Sequence, residues 1–404
     1  MTGLLSIHVR PGHPDFLDLP WHLPLESWAG ATTRLVEVPR GLSRHEVLFA
    51  SYRSEVYALK ELPAGAAEEE FDVLRALEEK HMPAVTAAGH ARVRTGGDED
   101  GDSSVLVTRF EENALPYRTL FMQPGLARYR ERLLDAMASL LVRLHLAGVY
   151  WGDCSLSNTL FKRDAGELLA VLVDAETSEL EETLSDGQRR QDLEIMEENV
   201  AGELADLAAI AELPPSLGVW DTGTVIRQRY ERLWTEITRE VPIRTEERYR
   251  IHERIRALNE LGFTVGEMEL IPAAEGNHLR MRTIVTDRDY QRHLLHSLTG
   301  LSAGDRQASL MLDEIRELRA TLSREQDQSV PLSVAAFRWQ TDRYDPAVAR
   351  LAAASGPEFD APEAYCEVLE HKWYMSERAG ADVGLGSAID DYLARIPPGP
   401  ALPA

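Results

Sequence analysis

The stretch Leu144-His-Leu-Ala-Gly-Val-Tyr-Trp-Gly-Asp153-Cys-Ser-Leu-Ser-Asn158-Thr-Leu-Phe161 decides the fold. An aspartate and an asparagine stand five apart in a polar segment. An apolar-striped helix pattern over 126–147 precedes it. After it, Leu168-Leu-Ala-Val-Leu-Val173 reads as a short buried strand that ends on Asp174, sixteen residues beyond Asn158.

Working outward, 34–38, 46–50 and 55–60 read as three strands separated by turn residues, and 66–80 as a helix with Phe71, Leu74 and Leu77 on one face. Residues 105–108 read as another strand and 116–125 as a connector. Residues 1–30, rich in Pro, Trp and His, read as an extension packed on something else. Beyond Asp174, helices are expected over 188–211, 222–239, 246–261, 290–298 and 305–323. A hairpin is expected from 263–271 and 278–285, with its turn at 274–277. In 188–211, Leu193, Met196, Val200, Leu204 and Leu207 form a core face, and Glu194, Glu197, Glu198 and Glu203 a solvated one. The cluster His371-Lys-Trp373-Tyr-Met-Ser-Glu377 reads as a fold-stabilising helix, with a substrate or regulatory surface as the alternative.

The constellation suits phosphoryl transfer. That reaction needs a carboxylate to orient the attacking group and take its proton, and an Asn with a second carboxylate to hold the magnesium that bridges the phosphates. Asp153, Asn158 and Asp174 supply these residue types. Lys60, in Tyr-Ala-Leu-Lys, is placed to reach phosphates. Glu70 on the next helix is its expected partner, with Glu69 the next candidate.

These residues resemble the protein-kinase-like superfamily, in particular its small bacterial members related to the lipopolysaccharide kinases, over roughly residues 30–210. The resemblance implies an α+β, two-lobed protein-kinase-like fold, with a small β-rich N-lobe and a helical C-lobe. It implies ATP and Mg2+ as cofactors. Asp153 matches the catalytic-loop aspartate, Asn158 the metal-binding asparagine and Asp174 the metal aspartate. Lys60 matches the strand-three lysine, Glu70 its helix partner and Gly41 the phosphate-covering loop. His145 matches a histidine common in the helix before the loop. The remainder resembles an uncharacterised, mixed α/β C-terminal domain that follows such modules in some bacterial proteins.

The sequence also departs from that pattern. Trp151-Gly152 replaces the His-Arg of many kinases, so no arginine stands ready to read a phosphate on the activation segment. Around Gly41 there is a single glycine. The metal triplet is Asp174-Ala-Glu176, and no Ala-Pro-Glu follows. The peptide-docking platform is therefore missing, which favours a small molecule, sugar or lipid headgroup as acceptor.

Composition sets further bounds. The chain has 404 residues and a formal net charge of -24, which argues against nucleic acid or an anionic membrane as main partner. Its two cysteines, Cys154 and Cys366, cannot make a disulfide framework or a four-cysteine zinc site, and this fits a cytoplasmic location. No apolar run is long enough to cross a bilayer, and residues 1–13 have no signal-peptide pattern. The expected organisation is an extension over 1–30, an ATP-binding domain over 31–242, a domain of unknown function over 243–396, and a tail over 397–404. Two functional readings follow. One is an ATP-dependent phosphotransferase acting on a hydroxyl. The other is a pseudokinase, an ATP-sensing scaffold whose C-terminal domain binds a protein partner. A purely structural protein would require Lys60, Asp153, Asn158 and Asp174 all to be accidental.

Overall fold

The computed structural model describes residues 3–38, 45–53, 55–94, 102–122, 129–210, 218–239, 241–244, 265–272, 278–285, 290–325, 330–354 and 359–395. Contacts divide the chain into two units. The first contains residues 1–162, 169–262 and 269–283. The second contains residues 163–168, 263–268 and 284–404.

In the first unit a five-stranded antiparallel sheet has the order β1-β4-β5-β3-β2. Its strands are β1 (Gly3–Val9), β2 (Val47–Tyr52), β3 (Glu55–Pro63), β4 (Ala87–Arg94) and β5 (Asp102–Arg109). The expected strand over 34–38 is extended chain with a single bridge, from Leu35 to Ala50. Along β3 the side chains alternate. Tyr57 and Leu59 join a core with Phe16, Leu19, Trp21, Leu25 and Trp28. The amino-terminal extension thus covers one face of the sheet, and its first residues add an edge strand.

Helix α1 (Ala66–Glu79) packs against β3, β4 and β5. It buries Ala67, Glu70, Phe71, Leu74 and Leu77, one helical stripe. Each large apolar side chain in such a stripe contributes roughly 1.5–3 kcal/mol. The Ser104 hydroxyl accepts from the Ala67 amide, one of the donors a helix start leaves without an internal partner.

The segment expected to be a connector contains β6 (Ala114–Pro116) and a short helix, α2 (Tyr117–Met122). Helix α3 (Arg130–Leu146) follows, with Leu133, Leu134, Met137, Leu140, Leu141 and Leu144 buried. Gly148 then takes a φ of +76°, and a Cβ there would lie 2.2 Å from the Glu181 carbonyl oxygen. Only glycine fits that turn. Strand β7 (Val149–Tyr150) pairs with β10 (Glu179–Leu180). Strands β8 (Thr159–Asp164) and β9 (Glu167–Leu172) form a three-stranded sheet with β6. Helices α4 (Asp186–Ile210) and α5 (Thr222–Thr238) complete this part, and α5 packs on α3 and α4. The expected helix over 246–261 and the turn at 274–277 lie outside the described residues. The expected hairpin strands are present as β12 (Val265–Pro272) and β13 (His278–Val285), and β11 (Val241–Arg244) adds to them in the order β11-β13-β12.

The second unit contains helices α6 (Tyr290–Thr299), α7 (Asp305–Glu325), α8 (Leu332–Trp339), α9 (Asp345–Ala354), α10 (Ala361–Ala379) and α11 (Leu385–Arg395). They enclose a core of Met311, Leu312, Ile315, Trp339, Tyr344, Tyr365 and Ile389. Glu314 accepts from the Trp339 indole at 2.9 Å and from the Tyr365 hydroxyl at 2.7 Å. His371 lies on α10 and bonds Asp391 at 2.7 Å, whereas Trp373 and Tyr374 are exposed.

The turn at 163–168 belongs to this unit as well. Asp164 accepts from the Arg306 and Gln307 amides at 3.1 and 2.8 Å, capping the start of α7. Glu363, fully buried, accepts from the Ala165 and Gly166 amides at 2.7 and 3.1 Å and from the Gln307 side chain at 2.8 Å. Burial pushes the Asp164 carboxyl up to about 6, against the two amides that favour its charged form.

Candidate active site

Lys60 was expected to end a strand. It lies within β3, paired with β2 on one side and β5 on the other. Two neighbours at the centre of a sheet hold its Cα rigidly. Its side chain points to the face opposite Leu59, the face that α1 covers. Glu70 is the buried glutamate of α1, whereas Glu69 is exposed. The Lys60 ammonium lies 3.1 Å from Glu70, 2.8 Å from Asp174 and 3.6 Å from Glu176. Burial alone would lower the Lys60 ammonium, but Glu70 and Asp174 outweigh it and hold it above its ordinary value. Burial, together with the Asp174 charge, pushes Glu70 up. Glu70 also accepts from the Ala175 amide at 3.0 Å, so one carboxylate ties Lys60 to the backbone beside Asp174. Glu176 lies 3.4 Å from His45. Gly41, expected to cover the phosphates, lies outside the described residues.

The segment 151–158 makes few backbone bonds of its own, and α4 supplies the missing partners. Asp192, fully buried, accepts from the Trp151 amide at 2.7 Å and from the Gly152 amide at 2.8 Å. Glu203 accepts from the Leu156 and Ser157 amides, both at 2.8 Å. Burial pushes Glu203 up, opposed by those bonds. Sequence periodicity assigned Glu203 and Glu197 to a solvated face. Instead Glu203 binds the loop, and Glu197 pairs with Arg227 at 2.6 Å. Neither Asp192 nor Asn199 was singled out from the sequence, although Asp192, Asn199 and Glu203 recur at intervals of seven and four, the spacing of one helix face.

His145 is a positioning group. Its Nε2 lies 3.1 Å from Asp192 and its Nδ1 2.8 Å from the Tyr230 hydroxyl. Arg189 donates to that hydroxyl at 3.3 Å, which leaves the phenolic proton for Nδ1. Burial pushes Tyr230 up to about 12. The Trp151 side chain is buried, and its indole N–H donates to the Asp174 carbonyl at 3.2 Å. Trp151 therefore joins the loop that carries Asp153 to the strand end that carries Asp174. Burial, with Asp192 nearby, pushes the Cys154 thiol well up, as expected of a packing residue.

Asn158 donates through Nδ2 to the Asp153 carboxylate at 3.0 Å and to the Asp153 carbonyl at 3.1 Å. Both partners are acceptors, so the amide nitrogen must face them. Among the described residues no donor reaches the Asn158 amide oxygen. Magnesium takes one or two protein oxygens and completes its shell with phosphates and water. The Asn158 amide oxygen and the Asp174 carboxylate fit that requirement. No group of three or more His, Cys, Asp or Glu side chains among the described residues forms a closed metal cage.

Residues 40–212 match the Lipopolysaccharide kinase (Kdo/WaaP) family. Residues 232–396 match the Domain of unknown function (DUF4032). Both agree with the resemblance read from the sequence. Among solved structures the chain is similar to "WaaP in complex with acyl carrier protein", at 18% identity and a TM-score of 0.37, over 64% of this chain and 99% of that one. It is also similar to "Crystal structure of aminoglycoside-3'-phosphotransferase of type VIII", at 17% identity and a TM-score of 0.35, over 57% and 95%. The sequence matches none of the curated proteins compared with it. The described residues place a β-sheet region before a helical one, and the matched segment 40–212 is similar to a family of lipopolysaccharide kinases. No helix among the described residues is long and apolar enough to cross a membrane.

Proposed function

We propose that the chain is an ATP-dependent phosphotransferase acting on the hydroxyl of a small molecule, sugar or lipid headgroup, in the cytoplasm. The observation that supports this most is the shared Lys60 ammonium, which ties Glu70 and Asp174 together in one cluster. Lys60 holds the α- and β-phosphates of ATP. Asn158 and Asp174 would hold Mg2+, which would supply neutralisation of the phosphate charge. Asp153 accepts the hydrogen bond of the acceptor hydroxyl and takes its proton. The hydroxyl oxygen forms a bond to the γ-phosphorus as the bond from that phosphorus to the β–γ bridging oxygen breaks, and ADP leaves with the electron pair. The segment 243–396 is proposed as a separate functional domain that binds a protein partner.

A pseudokinase remains the second reading, favoured by Glu176. This carboxylate stands 3.6 Å from Lys60, where it competes with phosphate. Calorimetry with ATP, with and without Mg2+, tests both readings. Binding that requires Mg2+ is expected, and a folded protein that binds in neither condition rules both out. ADP release under saturating Mg-ATP then separates enzyme from pseudokinase.

A further inference from the structure

We propose that Asn199 is a positioning residue that fixes the orientation of the Asp153 carboxylate for proton transfer. The inference rests on the phosphotransferase reading and deepens it. Asn199 Nδ2 donates to Asp153 Oδ1 at 2.9 Å and to the Cys154 carbonyl at 3.1 Å. Both are acceptor-only, so the orientation of this amide is dictated by chemistry. Asn158 makes the matching pair of bonds, to Asp153 Oδ2 and to the Asp153 carbonyl. Each carboxylate oxygen is therefore held by one amide, and each amide is anchored in turn to the backbone of 153–154. The carboxylate cannot rotate without breaking a bond on both sides.

The two amides are not equivalent. Asn158 has a second use for its oxygen, whereas Asn199 spends both of its N–H groups on this one grip. The other polar groups on the same face of α4, Asp192 and Glu203, bind only loop amides. Asn199 alone among them touches the carboxylate. A carboxylate has about four lone-pair directions, so two amide bonds leave the others for an acceptor hydroxyl.

Two variants of the full chain test this. Asn199→Leu keeps the size but removes both N–H groups. Asn199→Asp places a second carboxylate against Asp153 Oδ1. Four quantities are read: ADP release from Mg-ATP without acceptor, calorimetric ATP affinity, the urea midpoint, and, in wild type, hydrogen exchange of the Asn199 side-chain amide followed by NMR. For Asn199→Leu, turnover should fall by about 10²-fold, the effect of a misplaced catalytic group, with ATP affinity and midpoint as in wild type. For Asn199→Asp, which also removes the N–H donors and sets an acceptor against Asp153 Oδ1, turnover should fall at least as far, again with ATP affinity as in wild type. Unchanged turnover in both variants overturns the proposal. So does a parallel fall of affinity, midpoint and turnover, which marks a purely structural contact. If wild type binds Mg-ATP but releases no ADP, the phosphotransferase reading fails. The side-chain amide signals of Asn199 then still decide its role, because fast hydrogen exchange of both N–H groups in wild type removes the contact on which the proposal stands.

Discussion

The Lys60 ammonium lies 2.8 Å from the Asp174 carboxylate, closer than it lies to Glu70 at 3.1 Å. In the proposed reaction Asp174 must turn toward a metal, and Lys60 toward phosphate, so this pair is exchanged when nucleotide binds. Glu70 keeps its hold, because it is fully buried and also bonded to the Ala175 amide. Removing the lysine leaves that buried carboxylate without its cation. Lys60→Met should therefore weaken Mg-ATP binding, measured by calorimetry. It should also lower stability by about 3 kcal/mol in urea unfolding, the range for breaking a buried pair. The double variant Lys60→Met/Glu70→Leu should recover part of the stability and none of the binding. Full stability in Lys60→Met would show that the pair does not anchor α1.

Gly152 explains why no arginine precedes Asp153. Its φ is +79°, and a Cβ would lie 2.7 Å from the Thr177 carbonyl oxygen. The Thr177 and Ser178 hydroxyls donate in turn to the Trp151 carbonyl at 2.9 and 3.3 Å. The segment after Asp174 is thus held against the loop by direct bonds, not by a phosphate bridged to an arginine. Gly152→Ala should destabilise by at least about 1 kcal/mol from the left-handed backbone alone, and Gly152→Arg by more. Thr183→Ala should leave turnover per folded molecule unchanged, and Thr183→Glu should not raise it. An assay of ADP release after urea-melt normalisation checks both. Activation by the acidic residue would contradict the direct-bond account.

Much of this site was legible in the sequence because short-range rules govern it. The apolar run 168–173 predicted a buried strand ending at Asp174, and β9 lies there. Glu70, four residues before Leu74, was the first candidate for the partner of Lys60, with Glu69 the next, and Glu70 is the glutamate beside Lys60. Other parts followed weaker signals. Strand β4, Ala-Ala-Gly-His-Ala-Arg-Val-Arg, contains one β-branched residue and takes its conformation from pairing with β1 and β5. The role of Asp192, Asn199 and Glu203 was hidden for a different reason. Helical periodicity says which face a residue occupies, but not that distant loop amides 40 to 47 residues earlier will need an acceptor there.

Asp164 provides a pH-dependent contribution to stability. Its folded pKa is pushed up to about 6, above the ordinary 3.8 of an unfolded aspartate. A raised carboxyl stabilises the fold fully below the unfolded value, and the contribution is lost as pH rises through about 6. The amount at stake is on the order of 3 kcal/mol. Urea unfolding followed by the fluorescence of Trp339, which is buried in the same unit, should show it. The stability of wild type minus that of Asp164→Asn should decline between pH 4 and pH 7. A flat difference would refute the assignment. The same contacts bear on fragments. A chain of residues 243–404 lacks Asp164, Ala165 and Gly166, so it leaves Glu363 and the start of α7 without their partners. It should be less stable than the same unit in the full chain.

The sharpest test of the proposed reaction contrasts Asp153 with Asp174. Asp174→Asn removes a negative charge from the metal and weakens the hold on Lys60. Mg-dependent ATP affinity should drop, and the drop should be largest at low Mg2+. Asp153→Asn should leave nucleotide affinity nearly intact, because the Asp153 carboxylate is bonded to Asn158 and Asn199 and not, among the described residues, to Lys60 or Asp174. Turnover should still fall, by roughly the 10²–10⁴-fold attributed to a positioned general base. The asparagine also sets its own amide nitrogen against one of the two amides that grip position 153. If Asn158 is the one that turns, its oxygen leaves the metal and affinity falls as well. If Asn199 turns, affinity is kept and only turnover suffers. Adding Asn199→Asp to Asp153→Asn gives the new amide an acceptor at position 199. Affinity in the double variant should then equal that of wild type, while turnover stays low because the carboxylate is on the wrong residue. Wild-type turnover in Asp153→Asn would remove Asp153 as the base. Wild-type turnover in the double variant alone would instead transfer the proton-accepting role to position 199.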